Sequence, residues 1–214
     1  MMAGIGGIIA PVKFERSGEK KATFRKTKCK AKYNHLSSED ALRAICPWHW
    51  DMGDAYHVLS QGDIDSLSFL RVALSQRPLD YCLLSTWCMA PSDAEEIKSW
   101  IDRRMIKRID FYVGEIFQNG YRGAYDILVD TAKSCDGRVG IFRNHSKVMA
   151  GAAGDWSFVI ESSANVNTNP RCENTVITMD RGLFAEYKGF FDKINPFNQE
   201  FDGWKPYILE EANS

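Results

Sequence analysis

Three segments decide the fold: LDYCLLSTW at residues 79–87, RIDFYVGEI at 108–116 and RVGIFR at 138–143. Each is a short run rich in apolar, β-branched or aromatic residues, which is the signature of a buried strand. The segments between them have a different period. Ser92-Asp93-Ala94-Glu95 reads as a capping box, and Ile97, Trp100, Ile101 and Met105 follow on one helical face. Residues 124–135 repeat the pattern, with Ile127, Leu128 and Ala132 inward. Beyond them, Lys147 to Ala150 begins a fourth strand. WSFVIE (156–161) and TVITM (175–179) supply the last two. Residues 151–154 are all Gly or Ala, which predicts a hairpin tip at Asp155-Trp156. A closing helix carries Leu183, Phe184, Tyr187, Phe190, Phe191 and Ile194 as its apolar set. This order predicts an α/β class fold, a mixed β-sheet flanked by helices. No part of it is an internal repeat.

Upstream, residues 36–78 read as a helical N-terminal extension. Ser37 and Ser38 precede Glu39 and Asp40 in a helix-start pattern, with Ala41, Leu42 and Ile45 as the apolar stripe. Asp63 then caps a helix bearing Ile64, Leu67, Leu70 and Leu74, which ends near Pro78. The expected organisation is a flexible basic arm (1–35), the helical lead-in (36–78), the α/β domain (79–194) and a C-terminal strap (195–214). The strap carries Phe197, Phe201, Trp204 and Tyr207, and docking of a partner peptide is its second reading.

The chain has 214 residues, 44% of them hydrophobic, enough for one good core. With 27 basic and 28 acidic side chains the formal net charge is −1. That excludes a uniformly basic coat and wholesale disorder. No apolar run reaches the roughly 18–20 residues of a membrane span, so no membrane partner is expected. Residues 1–12 (MMAGIGGIIAPV) lack the basic start and cleavage site of a secretory signal. The six cysteines, Cys29, Cys46, Cys82, Cys88, Cys135 and Cys172, are scattered, several of them in apolar runs. This suits reduced thiols and a cytoplasmic location.

Charge is nevertheless uneven. Nine of residues 13–32 are Lys or Arg, against Glu15 and Glu19, with Phe14, Phe24 and Tyr33 interleaved. Lys20, Lys21, Arg25, Lys26, Lys28, Lys30 and Lys32 are candidate contacts to a nucleic-acid backbone, where each cation displaces a condensed counterion. A merely solvated arm is the competing reading. Cys46 and His49 have the spacing of half a zinc site, which His35 or His57 and Cys29 would complete. No second tight pair accompanies them and Trp48 and Trp50 point to packing, so no metal and no cofactor are expected. There is no GxxxxGK[ST] loop, and Gly4-Ile5-Gly6-Gly7 lacks the preceding strand of a dinucleotide fingerprint.

The chemistry concentrates after the third strand. In extended chain, residues i and i+2 share a face, so His145 and Lys147 project together, as do Ser163 and Asn165. Glu173 enters the last strand. An imidazole, an ammonium, a hydroxyl, a carboxamide and a carboxylate converging at one sheet edge make a phosphate site with a nucleophile in it. Lys147, Ser163 and Asn165 would hold anionic oxygens. His145 would attack phosphorus, and Glu173 would fix its tautomer.

The runs His145-Ser146-Lys147-Val148-Met149, Ser162-Ser163-Ala164-Asn165 and Glu173-Asn174-Thr175-Val176-Ile177 resemble the HxK…GSxN…ENxVI signature of the phospholipase D superfamily. The likeness is greatest to its small bacterial single-motif members, phosphodiesterases and nucleases, and extends over residues 79–194. Such residue patterns also resemble those of phage and prophage proteins with this domain. The resemblance implies an α-β-α sandwich, a phosphohistidine intermediate on His145, phosphate binding by Lys147, Ser163 and Asn165, and support of His145 by Glu173. A single HxK implies a homodimer that shares two histidines, one nucleophile and one general acid. Two positions depart from the signature: Ala152 replaces its aspartate, with Asp155 coming later, and Ser162 replaces its glycine. The expected function is a metal-independent phosphodiesterase, a nuclease on DNA in preference to RNA. The alternative is a catalytically weak or inactive nucleic-acid-binding or interaction protein, and a lipid substrate is a third option.

Overall fold

The computed structural model describes residues 40–43, 49–60, 64–166 and 171–209. The basic arm, Cys29, His35, Cys46 and Asp63 lie outside them, so the readings made on those residues do too. Seven strands form one mixed sheet in the order β1-β7-β6-β5-β2-β3-β4. The strands are β1 (Ala55–Ser60), β2 (Tyr81–Thr86), β3 (Ile109–Gly114), β4 (Val139–Phe142), β5 (Val148–Ala153), β6 (Trp156–Ser162) and β7 (Glu173–Thr178). β2, β3 and β4 are parallel neighbours, and every other pairing is antiparallel. The helices are α1 (Ser66–Gln76), α2 (Pro91–Asp102), the single turn α3 (Phe117–Gly120), α4 (Arg122–Ser134) and α5 (Arg181–Asp192).

The two sheet faces follow from side-chain alternation. Leu84, Phe111, Ile141, Met149 and Phe158 face α1, α2 and α4, which contribute Leu67, Leu70, Ile97, Trp100 and Leu128. Tyr81, Leu83, Tyr112, Val148 and Val159 face α5 through Phe184 and Phe191. The result is an α-β-α sandwich. All six residues of β2 and of β3 are buried, as expected for central strands covered on both faces. Phe184 is fully buried, and truncating it to alanine would cost about 3–5 kcal/mol in lost burial and cavity.

Several local expectations shift. The lead-in is not wholly helical, because β1 adds an edge strand to β7. Only Val58 of its six residues is buried, so its sequence carries too weak an alternation to announce a strand. The cap of α1 is Asp65, which accepts from the Ser68 amide at 3.1 Å. Helix α2 starts at Pro91, with Asp93 reaching back to the Ala90 amide at 3.3 Å. Residues 151–153 of the Gly/Ala run are strand, and the β5–β6 turn falls at Gly154-Asp155, with a Gly154 φ of +59°. Gly151 sits so close to the Phe158 ring that a Cβ there would lie 2.7 Å from it, so small residues are needed inside this strand. Trp50 does pack: it is 2% exposed and meets Phe158 edge-on at 6.1 Å.

The strap is irregular but firmly held. Its Phe197 amide donates to the Ile141 carbonyl at 2.7 Å. Asn198 accepts from the Ile141 amide at 2.9 Å and donates to Val139 at 2.8 Å, covering the outer edge of β4. Buried Asp110 accepts from the Tyr81 hydroxyl at 2.7 Å, the Arg138 amide at 2.9 Å and the Trp204 indole at 3.0 Å. Burial pushes its carboxyl up, and these donors oppose the shift. The Arg138 guanidinium lies 3.7 Å from the Trp204 ring centre, and Tyr207 stacks on Tyr81 at 4.8 Å. No described helix is long and apolar enough to cross a membrane.

Candidate active site

Strand polarity gathers the candidate residues at one rim. The C-terminal ends of β2, β3 and β4 lie beside the start of β5, because β5 runs antiparallel to β2. The end of β6 and the start of β7 follow on the same rim. The loop from Arg143 to Lys147 crosses it between β4 and β5.

Asn144 anchors that loop. It is 5% exposed. Its amide donates to the Tyr112 carbonyl and to the Ser85 hydroxyl, each at 2.9 Å. Its carbonyl oxygen accepts from the Ser146 amide at 2.9 Å and the Ser146 hydroxyl at 2.7 Å. The Ser85 and Ser146 hydroxyls lie 2.6 Å apart, so donation can run Asn144 to Ser85 to Ser146 and back to Asn144, a closed ring. With Ser146 pinned inward, His145 is exposed on the other side. The Lys147 ammonium is 3.1 Å from His145 Nδ1 and donates to the His145 carbonyl at 2.6 Å. The Trp87 ring packs 5.5 Å from the imidazole, centre to centre. Gly114 makes room for it, since a Cβ there would fall 2.9 Å from Trp87 Cδ1 and 3.2 Å from the Asn144 carbonyl.

The remaining candidates surround this pair. The Ser163 hydroxyl donates to the Glu173 carboxylate and accepts from the Asn174 amide at 3.0 Å. Asn165 accepts from the Trp87 amide at 3.2 Å through its side-chain oxygen. Glu173 is close enough for its charge to act on Lys147. Partial burial is the larger influence and lowers the Lys147 ammonium below the ordinary lysine value, while Cys88 and Glu173 pull it back up. The structure thus brings His145 to Lys147 and Ser163 to Glu173. It turns Asn165 toward Trp87 and does not put Glu173 on the imidazole. The Glu173 carboxylate engages Ser163, one residue beyond the end of β6.

Both departures from the signature find local reasons. Ala152 is buried among the apolar residues beneath α5, where a carboxylate would need partners, while Asp155 lies at the hairpin and pairs with Arg181 at 2.8 Å. Ser162 has no left-handed backbone to accommodate, and its hydroxyl accepts from the Ala164 amide at 3.1 Å and meets the Thr175 hydroxyl at 2.9 Å.

Sequence reasoning missed Asn144, Ser85, Trp87 and Gly114. An Asn two residues before Ser146 is an Asx-turn signal, which would have flagged Asn144. Among the described residues no group of three His, Cys, Asp or Glu side chains stands together as a metal site.

The sequence matches no family model and no curated protein. Among solved structures, NucT from Helicobacter pylori superposes with a TM-score of 0.50 at 18% identity, over 65% of this chain and 95% of its own. The chain has a phospholipase D-like fold. Nuc from Salmonella typhimurium, a phospholipase D family member, superposes with a TM-score of 0.48 at 13% identity, over 72% of this chain and 97% of its own. At these identities the likeness is one of architecture. In this fold the runs that begin at His145 and at Glu173 start from one sheet rim, where His145 and Lys147 meet.

Proposed function

We propose that the protein is a metal-independent phosphodiesterase, a nuclease that works through a phosphohistidine on His145 in a homodimeric site. The observation that carries this reading is the contact of the Lys147 ammonium with the His145 ring at the sheet rim. An arriving phosphodiester offers Lys147 an anionic oxygen in place of the ring nitrogen. That frees the imidazole lone pair beside the phosphorus. The Asn165 amide nitrogen adds a hydrogen bond to another oxygen, while the Ser163 hydroxyl keeps its one proton on Glu173. Attack forms the P–N bond and breaks the bond to the leaving oxygen, which takes a proton from the imidazolium of the second subunit. That imidazole, now neutral, accepts a proton from water. The water oxygen then attacks phosphorus, the P–N bond breaks and His145 is restored. Glu173 balances the charge of Lys147 from its place on Ser163. No step draws on a metal ion. The basic arm, with Lys20, Lys21, Arg25, Lys26, Lys28, Lys30 and Lys32, would lead DNA in preference to RNA to the rim.

The test is incubation with plasmid, single-stranded DNA and RNA in EDTA. Cleavage that survives chelation and is lost in His145→Ala is expected, and cleavage that persists in His145→Ala refutes the reading. One observation favours the alternative, a binding protein with little turnover: Glu173 is engaged by Ser163 rather than by the imidazole. Tight oligonucleotide binding without cleavage by the wild-type protein would establish that alternative.

A further inference from the structure

A cleft of about 630 Å³ opens from His145 toward α5. It is lined on one side by the loop bearing Arg143 and His145, and on the other by Tyr187 and Phe190 of α5, with Glu161 of β6 and Glu186 facing in. Phe190 is the unexpected member. Its helical spacing places it with the core-facing set, yet it is 63% exposed, whereas its neighbour Phe191 is 3% exposed. Phe191 fills the space over Tyr112, and Phe190 is left at the cleft with its ring edge-on to Phe191 at 5.4 Å. An aromatic ring held in that way loses little freedom when something flat stacks on it.

Charge is divided along the cleft. Arg143, His145 and Lys147 stand at the rim end. Glu186 stands on α5, and Glu161, opposite Val148 near the end of β6, accepts from the Tyr187 hydroxyl of that helix. Burial and that hydrogen bond push Tyr187 up to about 12, so the phenol stays neutral and holds the carboxylate in place. An all-cationic groove would track a phosphate backbone, and an all-apolar one would take an acyl chain. Two carboxylates beside aromatic rings disfavour both. The arrangement matches a group with a flat π face and amino donors, tethered to an anion at the opposite end. A nucleotide has that form: a phosphodiester at His145 and Lys147, and a base on the aromatic wall with its exocyclic amine toward a carboxylate.

We propose that this cleft is a nucleobase subsite, with Phe190 as its stacking platform and Glu186 as its reader of base amino groups, so that the preferred ligand is a single strand with unpaired, amine-bearing bases. The proposal rests on the phosphodiester reading of the rim and adds the ligand's form. A base inside a duplex presents neither face to Phe190, because both faces are stacked and the pairing edge is occupied.

The test uses full-length protein carrying His145→Ala, so that the probe is not cut, and a single-stranded deoxyoligonucleotide of adenine and cytosine with one 2-aminopurine. Binding is read by anisotropy and stacking by quenching of the 2-aminopurine. Quenching is expected with the single strand and not with its duplex. Phe190→Ala should abolish the quench and weaken single-strand binding about tenfold, equivalent to about 1.4 kcal/mol, while Phe190→Trp preserves both. Phe190 is already exposed, so its truncation leaves the core intact. Glu186→Gln should narrow the preference for this probe over an all-thymine strand. Three results overturn the inference: affinity and quench unchanged in Phe190→Ala, duplex bound as tightly as single strand, or a Phe190→Ala protein that sediments as monomer where the parent sediments as dimer, which would make the ring a subunit contact. Failure of the activity is read separately. If the wild-type protein cuts nothing in EDTA but the quench persists and depends on Phe190, the nucleobase site stands and the phosphodiesterase reading falls.

Discussion

Replacing Asn144 by alanine tests the claim that one buried carboxamide holds the His145 loop in place. The side chain joins three elements: Ser85 of β2, the Tyr112 carbonyl of β3 and Ser146 of the loop. Removing it leaves the Ser146 amide without its acceptor and the Tyr112 carbonyl without this donor. The two serine hydroxyls can still bond to one another. Two buried groups stripped of a partner cost about 1–3 kcal/mol each, and some relaxation is expected, so the total is about 2–4 kcal/mol. In a domain of this size that corresponds to a fall in Tm of about 5–15 °C. Asn144→Asp is a sharper probe, because a carboxylate oxygen would face the Tyr112 carbonyl where an N–H donor now sits. It should be at least as damaging as alanine at neutral pH. Thermal unfolding followed by circular dichroism measures both, and cleavage assays well below the melting range measure the second consequence. A loop displaced by about 1 Å carries His145 out of line and should cost up to about 100-fold in rate. A Tm within about 2 °C of wild type for either variant, or an aspartate variant as stable as the parent, would refute the anchoring role.

Other perturbations follow from the same rim and its supports. Gly114→Ala would put a methyl group against Trp87 and the Asn144 carbonyl; about 1–3 kcal/mol of destabilisation, with reduced turnover, is expected from denaturant titration and cleavage assays, and a neutral outcome would show that Trp87 moves freely. Trp204→Ala removes the indole donor to Asp110 and the stacking partner of Arg138; about 2–3 kcal/mol should be lost, and limited proteolysis should newly cut the strap near Phe197. Lys147 is lowered mainly by burial, so its proton leaves earlier than an ordinary lysine's as pH rises. Anion binding through it should therefore decline as pH rises through a midpoint below the ordinary lysine value, while folding stability gains over that window because the unfolded chain holds more protons; oligonucleotide anisotropy against pH should show the decline in wild type and not in Lys147→Arg. Finally, a site that needs two subunits' imidazoles predicts that mixtures of wild type and His145→Ala, refolded together, lose activity as the square of the wild-type fraction, and a linear loss would mean that each subunit works alone.

How much of this was legible in the sequence depended on how far each signal was local. β2 and β3 announce themselves because central strands are buried on both faces, which gives unbroken apolar runs such as YCLLST. β1 stays hidden because an edge strand needs only Val58 to face inward. The cap of α1 is Asp65, which the sequence does not single out, because carboxylates look alike until the backbone brings one to the Ser68 amide. In the site, the i, i+2 spacing correctly paired His145 with Lys147. The same rule failed for Asn165, because the chain bends after Ser162 and the carboxamide turns to Trp87. Convergence at the sheet edge and the resemblance both point Glu173 at the imidazole. Its actual neighbour, Ser163, depends on the β6–β7 register, in which Ser162 stands opposite Thr175.

The residues that sequence reasoning missed share one property: each acts across elements distant in the chain. Gly114 matters only because Trp87 lies against it from the end of β2. Ser85 matters only because the Asn144 loop arrives 59 residues later. Phe190 reads as core by period, and becomes a surface group only once Phe191 has taken the available volume over Tyr112. A helix turn with two adjacent aromatics cannot bury both against one strand, and the one excluded is left beside whatever the rim provides. Here the rim provides an imidazole and an ammonium. The chemistry-bearing residues can thus be found one at a time along the chain, but the shape of what they receive is set by which side chains the core had no room to accept.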